Sequence, residues 1–169
     1  MVNGYFQLDI RKEGTFVILF PAKDGGETIR FDEMVKYLLS QKLTAFKKVD
    51  LKQATDAVAK SGKATMVRVG DPLPYKVREE MSCYISEDKM TLRVRFYPPS
   101  VKGETMDGEE IARTLQSQGI KFGIDKEAIR DFLMNRRYCM DFIFAKGKEP
   151  EHGHDAEIKY FFNTNRRII

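Results

Sequence analysis

The fold is decided by the stretch Met90-Thr-Leu-Arg-Val-Arg-Phe-Tyr-Pro-Pro-Ser-Val-Lys-Gly-Glu-Thr105, which leads into Asp107-Gly-Glu-Glu-Ile111. An earlier stretch follows the same plan: Gly14-Thr-Phe-Val-Ile-Leu-Phe-Pro-Ala-Lys-Asp-Gly-Gly-Glu-Thr28, leading into Phe31-Asp-Glu-Met34. In both, an apolar strand ends at an aromatic residue and a proline, a short loop closes on Gly-Glu-Thr, and acidic residues open a helical pattern. This repeated order predicts a tandem duplication.

The spacing of the two copies sets the predicted domain organisation. Gly26 and Gly103 lie 77 residues apart, which is enough for one small lobe per repeat. We predict an α+β protein of two homologous tandem lobes, each a small antiparallel sheet with two helices packed on one face. The first lobe is expected to span residues 1–74 and the second residues 75–162, with residues 163–169 as a tail.

Local patterns predict the elements of each lobe. Asp50 is expected to open the second helix of the first lobe, and Asp107 and Asp125 the two helices of the second lobe, because Asp is a favoured N-cap. Strands over residues 64–69 and 139–145 are expected to hold matching places in the two lobes. The inward triplets of the central strands are predicted to match, with Phe16, Ile18 and Phe20 overlaid by Leu92, Val94 and Phe96.

Composition places the chain among soluble globular proteins, since 42% of its 169 residues are hydrophobic and 32% are charged. There is no apolar run of about 18 residues and no signal peptide at the N-terminus, so we expect a cytoplasmic protein with no membrane insertion. The net charge of +4 permits an acidic partner. Basic residues are scattered among 25 acidic ones, which weakens the case for a nucleic-acid surface.

The residues that could carry chemistry are few. His152 and His154 lie beside Asp155 in a glycine-containing loop, but no third soft ligand is near in sequence, so we expect an ordinary polar turn and no metal. Cys83 and Cys139 lie in apolar stretches and are expected to be buried small hydrophobes. No nucleophile elbow or phosphate-binding loop is found. We therefore expect no catalytic residues, no cofactor and no enzymatic activity.

One strand face offers a candidate binding surface. Thr91, Arg93, Arg95 and Tyr97 alternate along the central strand of the second lobe and so point to one side of it. A basic row with an aromatic residue at its end can follow a phosphate backbone and stack a base. It can equally be a solvated sheet face or one that packs arginine stems against protein. Arg93, Arg95 and Tyr97 are the candidate binding residues.

The second lobe carries the motifs of a known family. They are Tyr84-Ile-Ser-Glu-Asp-Lys-Met-Thr91, Tyr97-Pro-Pro99, Gly119-Ile-Lys-Phe-Gly-Ile124, and above all Ala145-Lys-Gly-Lys-Glu-Pro-Glu-His-Gly-His-Asp155 followed by Ile158-Lys-Tyr-Phe161. With these motifs the chain resembles the N-terminal region of the flagellar assembly protein A (FapA) family of bacteria. The opening Gly4-Tyr-Phe-Gln-Leu-Asp-Ile10 is also similar to that family's start, so the resemblance is expected to cover nearly the whole chain.

The resemblance implies a role in assembly or localisation of a cell-surface apparatus such as the flagellum, through protein contacts and without catalytic residues. It also implies a C-terminal β-helical region, of which the tail would be the start. Nucleic-acid binding through Arg93, Arg95 and Tyr97 is the alternative. Within the sharpest motif, Gly147, Pro150, Gly153 and Asp155 are expected to form a structural turn, because glycine and proline fix a backbone path and Asp155 can accept bonds from loop amides.

Overall fold

A computed structural model gives the fold, and it describes residues 1–87, 90–118 and 123–146. The described elements follow in the order β1 (Tyr5–Arg11), β2 (Gly14–Phe20), α1 (Phe31–Ser40), α2 (Lys48–Ser61), β3 (Thr65–Gly70), β4 (Glu80–Ile85), β5 (Thr91–Tyr97), α3 (Gly108–Ser117), α4 (Lys126–Met134) and β6 (Asp141–Lys146). They form two three-stranded antiparallel sheets, β1-β2-β3 and β4-β5-β6, and four helices. The predicted α+β class is confirmed.

The chain forms two compact units that interleave in sequence. Unit 1 comprises Met1–Glu80, Phe96–Thr105 and Arg137–Met140, and unit 2 comprises Met81–Arg95, Met106–Arg136 and the chain from Asp141 onward. The segment after β5 belongs to unit 1 because the Val101 amide donates to the Leu8 carbonyl at 2.9 Å. The division into repeat lobes 1–74 and 75–162 concerns common origin, and it stays a prediction.

The core of unit 1 lies between its sheet and its two helices. The β1–β2 hairpin is paired from Tyr5↔Phe20 to Arg11↔Gly14, and β3 pairs with the other edge of β2. Gly14 is required where the hairpin turns, since its φ is +150° and a Cβ there would meet the Gly70 carbonyl oxygen at 2.8 Å. One buried cluster joins both helices to the sheet, and its members include Phe6, Leu8, Val17, Leu19, Met34, Leu38, Leu51 and Val58.

The predicted match of inward triplets is wrong by one residue. Val17 and Leu19 are fully buried in the core of unit 1, whereas Phe16, Ile18 and Phe20 lie half-buried on the outer face of the sheet. Both faces of β2 are apolar, so the period of two alone did not identify the inner one. The spacing of 77 residues gives the right register, because it aligns the prolines that end the two strands and pairs Val17 with Val94.

Unit 2 has its own apolar centre. Leu92 and Val94 of β5 are fully buried, and so are Ile111 and Leu115 of α3. Phe132 of α4 packs edge-on against two rings of β6, with ring centroids 5.4 Å from Phe142 and 6.3 Å from Phe144. These contacts hold the helix on the inner face of the sheet.

The predicted N-caps are confirmed in unit 2 and wrong in unit 1. The Asp107 carboxylate accepts from the Glu110 amide at 2.8 Å, and the Asp125 carboxylate accepts from the Ala128 amide at 3.0 Å. Helix α2 instead begins at Lys48 after Lys47, so Asp50 lies inside its first turn. An acidic residue there still favours the positive end of the helix dipole, which is why it resembled a start signal.

The last described strand begins two residues later than predicted, at Asp141. Cys139 precedes it with φ of 57°, a left-handed conformation that does not continue a strand. Cys83 lies within β4. It is only half-buried, so the prediction that it is buried is wrong.

Several predictions lie outside the described residues. They concern His152 and His154, the motif turn Gly147, Pro150, Gly153 and Asp155, and the tail at 163–169. Within residues 1–87, 90–118 and 123–146, no helix is long and apolar enough to cross a membrane, and no group of three histidine, cysteine or acidic side chains could hold a metal ion.

Candidate functional site

Arg95 lies on the outer face of the second sheet and is paired across strands. Strand β5 alternates buried Leu92 and Val94 with half-buried Arg93 and Arg95. Arg95 stands opposite Asp141 of β6, and its Nη1 donates to the Asp141 Oδ1 at 3.1 Å. The Arg95 side chain is only 13% exposed and that of Asp141 is 45% exposed. The positive charge of Arg95 is therefore largely compensated within unit 2.

Arg93 lies on the same face in different surroundings. Its guanidinium carbon stands 4.6 Å from the centroid of the Tyr84 ring, which is a cation–π distance. Across the strand pair it faces Ile143. Both neighbours are open to solvent, since Tyr84 is 56% and Ile143 51% exposed. We call the set Tyr84, Arg93, Arg95, Asp141 and Ile143 the outer face of unit 2.

Tyr97 is separated from this set because it belongs to unit 1. Its hydroxyl donates to the Glu33 carboxylate at 2.6 Å. Its ring packs on two others, with centroids 5.8 Å from Phe6 and 5.5 Å from Tyr37. The three residues predicted as one binding row thus fall into two units, and Tyr97 is engaged by the helix and sheet of unit 1.

The outer face of unit 2 suits a protein surface better than a phosphate backbone. A nucleic-acid strand needs several uncompensated cations in a row. Here Arg95 is paired with a carboxylate, and Arg93 is flanked by an exposed tyrosine and an exposed isoleucine. Arginine and tyrosine are enriched in protein interfaces, where a partner can cover the apolar groups and meet the charge.

A second candidate site, which the sequence analysis missed, is a cleft of about 730 Å³ in unit 1. Helix α1 supplies most of its wall, and Lys48, Glu80 and Tyr97 complete it. The lining residues are Phe31, Asp32, Glu33, Val35, Lys36, Tyr37, Ser40, Lys48, Glu80 and Tyr97. In the sequence, the available signal for this cleft was Tyr37, an aromatic residue beside the apolar residues of α1.

One residue that lines this cleft, which we call the Tyr37 cleft, has a perturbed hydroxyl group. Tyr37 is only 5% exposed, and its hydroxyl is buried with no hydrogen-bond partner among the described residues. Burial raises the pKa of Tyr37, and the negative charge of Glu80 raises it further. Burial also raises the pKa of the Glu80 carboxyl. The Tyr37 hydroxyl is therefore held in its protonated form.

Comparison with known proteins gives one finding. A family model described as Flagellar Assembly Protein A N-terminal region matches residues 81–169. The match does not extend to the first eighty residues, so the expected similarity at Gly4–Ile10 lies outside it. Neither the curated proteins nor the solved structures give a match. Because the matched region is more than half of the chain and contains the motifs around Tyr84, Tyr97 and Ala145, the chain belongs to the flagellar assembly protein A (FapA) family.

Proposed function

We propose that this chain is a non-enzymatic protein-binding module, which acts in the bacterial cytoplasm in the assembly or localisation of a cell-surface apparatus such as the flagellum. Membership of the flagellar assembly protein A family supports the setting. The observation that carries the binding role is the outer face of unit 2, where Arg93 lies between exposed Tyr84 and exposed Ile143.

The proposed partner surface follows from the chemistry of that face. Arg93 makes no ion pair within the described residues, so a partner carboxylate can form a charge-assisted bond with it. Tyr84 and Ile143 offer apolar area on either side, which a partner would cover. We expect an acidic residue flanked by apolar side chains on the partner protein.

Nucleic-acid binding through Arg93, Arg95 and Tyr97 is the weaker candidate. Arg95 is paired with Asp141, so of the two arginines only Arg93 is left to contact a phosphate backbone. The Tyr97 ring is packed against Phe6 and Tyr37. Stacking a base on Tyr97 would require it to leave those rings.

The proposal is tested by capture of proteins from a cell lysate on the immobilised chain, with and without nuclease. Arg93→Ala and Ile143→Asp should each abolish a nuclease-resistant set of captured proteins. Two matched controls alter an exposed arginine and an exposed apolar residue away from this face: Arg113→Ala and Met134→Asp, whose wild-type side chains are 67% and 81% exposed respectively. Both controls should retain capture. Loss of capture on nuclease treatment would support the nucleic-acid alternative, and capture unchanged by Arg93→Ala and Ile143→Asp would refute this surface.

We also propose that the two units arose by duplication. Both have the element order ββααβ with the second strand central in the sheet. The pairing of each central strand with the last strand shifts register at one step, between Thr15 and Phe16 in β2 and between Leu92 and Arg93 in β5. These steps are separated by the same 77 residues as Gly26 and Gly103. Bulges tend to be kept within families, so the coincidence supports common origin.

A further inference from the structure

The sheet of unit 2 has two edges, and the described residues cover only one of them. Along β6, the Asp125 amide donates to the Phe144 carbonyl at 2.7 Å, and the Lys146 amide donates to the Gly123 carbonyl at 3.0 Å. Along β4, no strand or bridge of the described residues pairs with the side that faces away from β5. An uncovered edge strand presents a row of unpaired backbone groups that another chain can join.

The register of the β4–β5 hairpin identifies the groups that face this open side. The Ser86 amide donates to the Thr91 carbonyl at 2.9 Å, just beyond the end of β4. In an antiparallel pair, successive residues turn their amide and carbonyl groups alternately toward and away from the partner strand. Ser82 and Tyr84 therefore direct these groups toward β5. The residues between and beside them direct theirs toward the open side, which we call the β4 edge: Met81, Cys83 and Ile85.

The charge of Arg93 lies next to the β4 edge. Its guanidinium carbon stands 4.6 Å from the centroid of the Tyr84 ring, so this side chain of β5 reaches over β4. Tyr84 is 56% exposed, and Arg93 makes no ion pair within the described residues. In an added strand, the residue beside Tyr84 would have its Cβ about 4.5–5.5 Å from that of Tyr84, on the same face. A carboxylate at that position can form a charge-assisted bond with the guanidinium.

The opposite face of β4 selects apolar neighbours. Cys83 is half-buried there, and Ile85 is 44% exposed. Side chains alternate across a strand, so the residues before and after the acidic one would lie beside Ile85 and Cys83. Apolar side chains at these two positions would remove the exposed apolar area from water. The favoured segment is therefore extended and carries an acidic residue between two apolar ones.

We propose that the partner protein adds such a segment to the β4 edge as an antiparallel strand, with its carboxylate on Arg93 and its apolar side chains beside Cys83 and Ile85. Antiparallel pairing continues the pattern of this sheet. The added backbone bonds supply affinity, and the alternating side chains supply selectivity. The proposal rests on the binding role of the outer face of unit 2 and adds the way in which the partner engages it.

The test is backbone amide hydrogen exchange of the isotope-labelled full chain, with the probe peptide N-acetyl-Ser-Thr-Val-Glu-Val-Thr-Ser-amide. Exchange of the amides of the β4 edge should slow as the probe is added. The amides of Ser82 and Tyr84 should change little, because they face β5. A second probe has proline in place of both valines. It keeps the carboxylate but lacks the two N–H groups that would face β4, so it should not bind.

The role of Arg93 is tested with a matched pair of probes and variants. A probe with glutamine in place of glutamate should bind the wild type about two- to fivefold more weakly, the effect of one exposed ion pair. Arg93→Ala should weaken binding of the glutamate probe by a similar factor, so that it binds both probes equally. The control is Arg113→Ala, at an arginine of α3 whose side chain is 67% exposed, and it should bind like the wild type.

Unchanged exchange at Cys83 and Ile85 would overturn strand addition, and so would equal binding of the proline probe. Slow exchange of these amides in the free chain would also overturn it, because the edge would already be paired. If that slowing increased with protein concentration, the edge would belong to a second copy of the chain. Loss of protein capture in Arg93→Ala and Ile143→Asp, with unchanged exchange at the β4 edge, would leave the proposed partner surface standing and refute only its engagement through β4.

Discussion

The outer faces of the two sheets carry different side chains at the same register. In unit 1, Ile18 of β2 stands opposite Met66 of β3, and both are apolar. In unit 2, the equivalent positions hold Arg95 and Asp141, which form an ion pair at 3.1 Å. The inner faces do not differ in this way, since Val17 and Val94 are both fully buried.

The contrast shows which part of each unit is constrained. The inner face must fill a core, so its buried residues are apolar or, like Thr15, hydrogen-bonded. The outer face requires only that opposite side chains suit each other, which an apolar pair or an ion pair achieves equally well. The outer faces can therefore diverge while both units keep the ββααβ order, and they are where the units can differ in what they bind.

The largest effect is expected on the inner face of β2. Leu19→Ala should lower the free energy of unfolding by about 2–5 kcal/mol, since Leu19 is fully buried in the core of unit 1. Ile18→Ala, at the adjacent half-buried position on the outer face, should cost less than half as much. Denaturant unfolding followed by circular dichroism measures both. A larger loss for Ile18→Ala would mean that the assigned inner and outer faces are exchanged.

The helix starts differ between the units, and the next effect follows from them. Asp107→Ala and Asp125→Ala should each cost about 0.5–2 kcal/mol, because each removes a carboxylate that accepts a backbone amide. Asp50→Ala in unit 1 is the control. It should cost less, since Asp50 lies inside the first turn of α2 and is not its cap. Equal losses at all three positions would show that the dipole and not the cap matters.

Helix α1 of unit 1 lacks a side-chain N-cap, and a substitution can supply one. Helix α1 begins after Arg30, which makes no side-chain cap although its backbone has the extended conformation of a cap residue. Arg30→Ser should therefore be more stable than Arg30→Ala by about 0.5–1 kcal/mol, measured as a difference in unfolding free energy. The alanine variant controls for loss of the exposed Arg30–Glu27 pair. No difference between the variants would show that the start of α1 is set by packing alone.

The sequence predicted the features that local physics determines. The caps Asp107 and Asp125 and the α+β class required only neighbouring residues and were confirmed. The inner face of β2 was missed because Phe16, Ile18 and Phe20 are as apolar as Val17 and Leu19, so alternation could not choose between the faces. The proline alignment could have chosen, since it pairs Phe20 with Tyr97.

The candidate sites were less predictable because they depend on contacts between distant residues. Alternation predicted that Arg93 and Arg95 lie on one face. It did not predict the ion pair between Arg95 and Asp141, because Asp141 lies on β6. The Tyr37 cleft needs Tyr37, Glu80 and Tyr97, which three separate parts of the chain supply. No residue spacing in the sequence predicts that these three residues line one cleft.

The smallest effect tests the opening contrast directly. A double-mutant cycle with Arg95→Ala and Asp141→Ala should give a coupling energy of about 0.2–1 kcal/mol, the usual range for a pair with one exposed partner. A parallel cycle with Ile18→Ala and Met66→Ala should give a coupling of similar size from cross-strand packing. The two coupling energies should respond differently to added salt. At about 1 M salt the Debye length falls to about 3 Å, so the Arg95–Asp141 coupling should shrink while the Ile18–Met66 coupling does not. If the Arg95–Asp141 coupling were also insensitive to salt, Arg95 would stabilise unit 2 by packing its stem, and the outer faces of both units would work by the same apolar means.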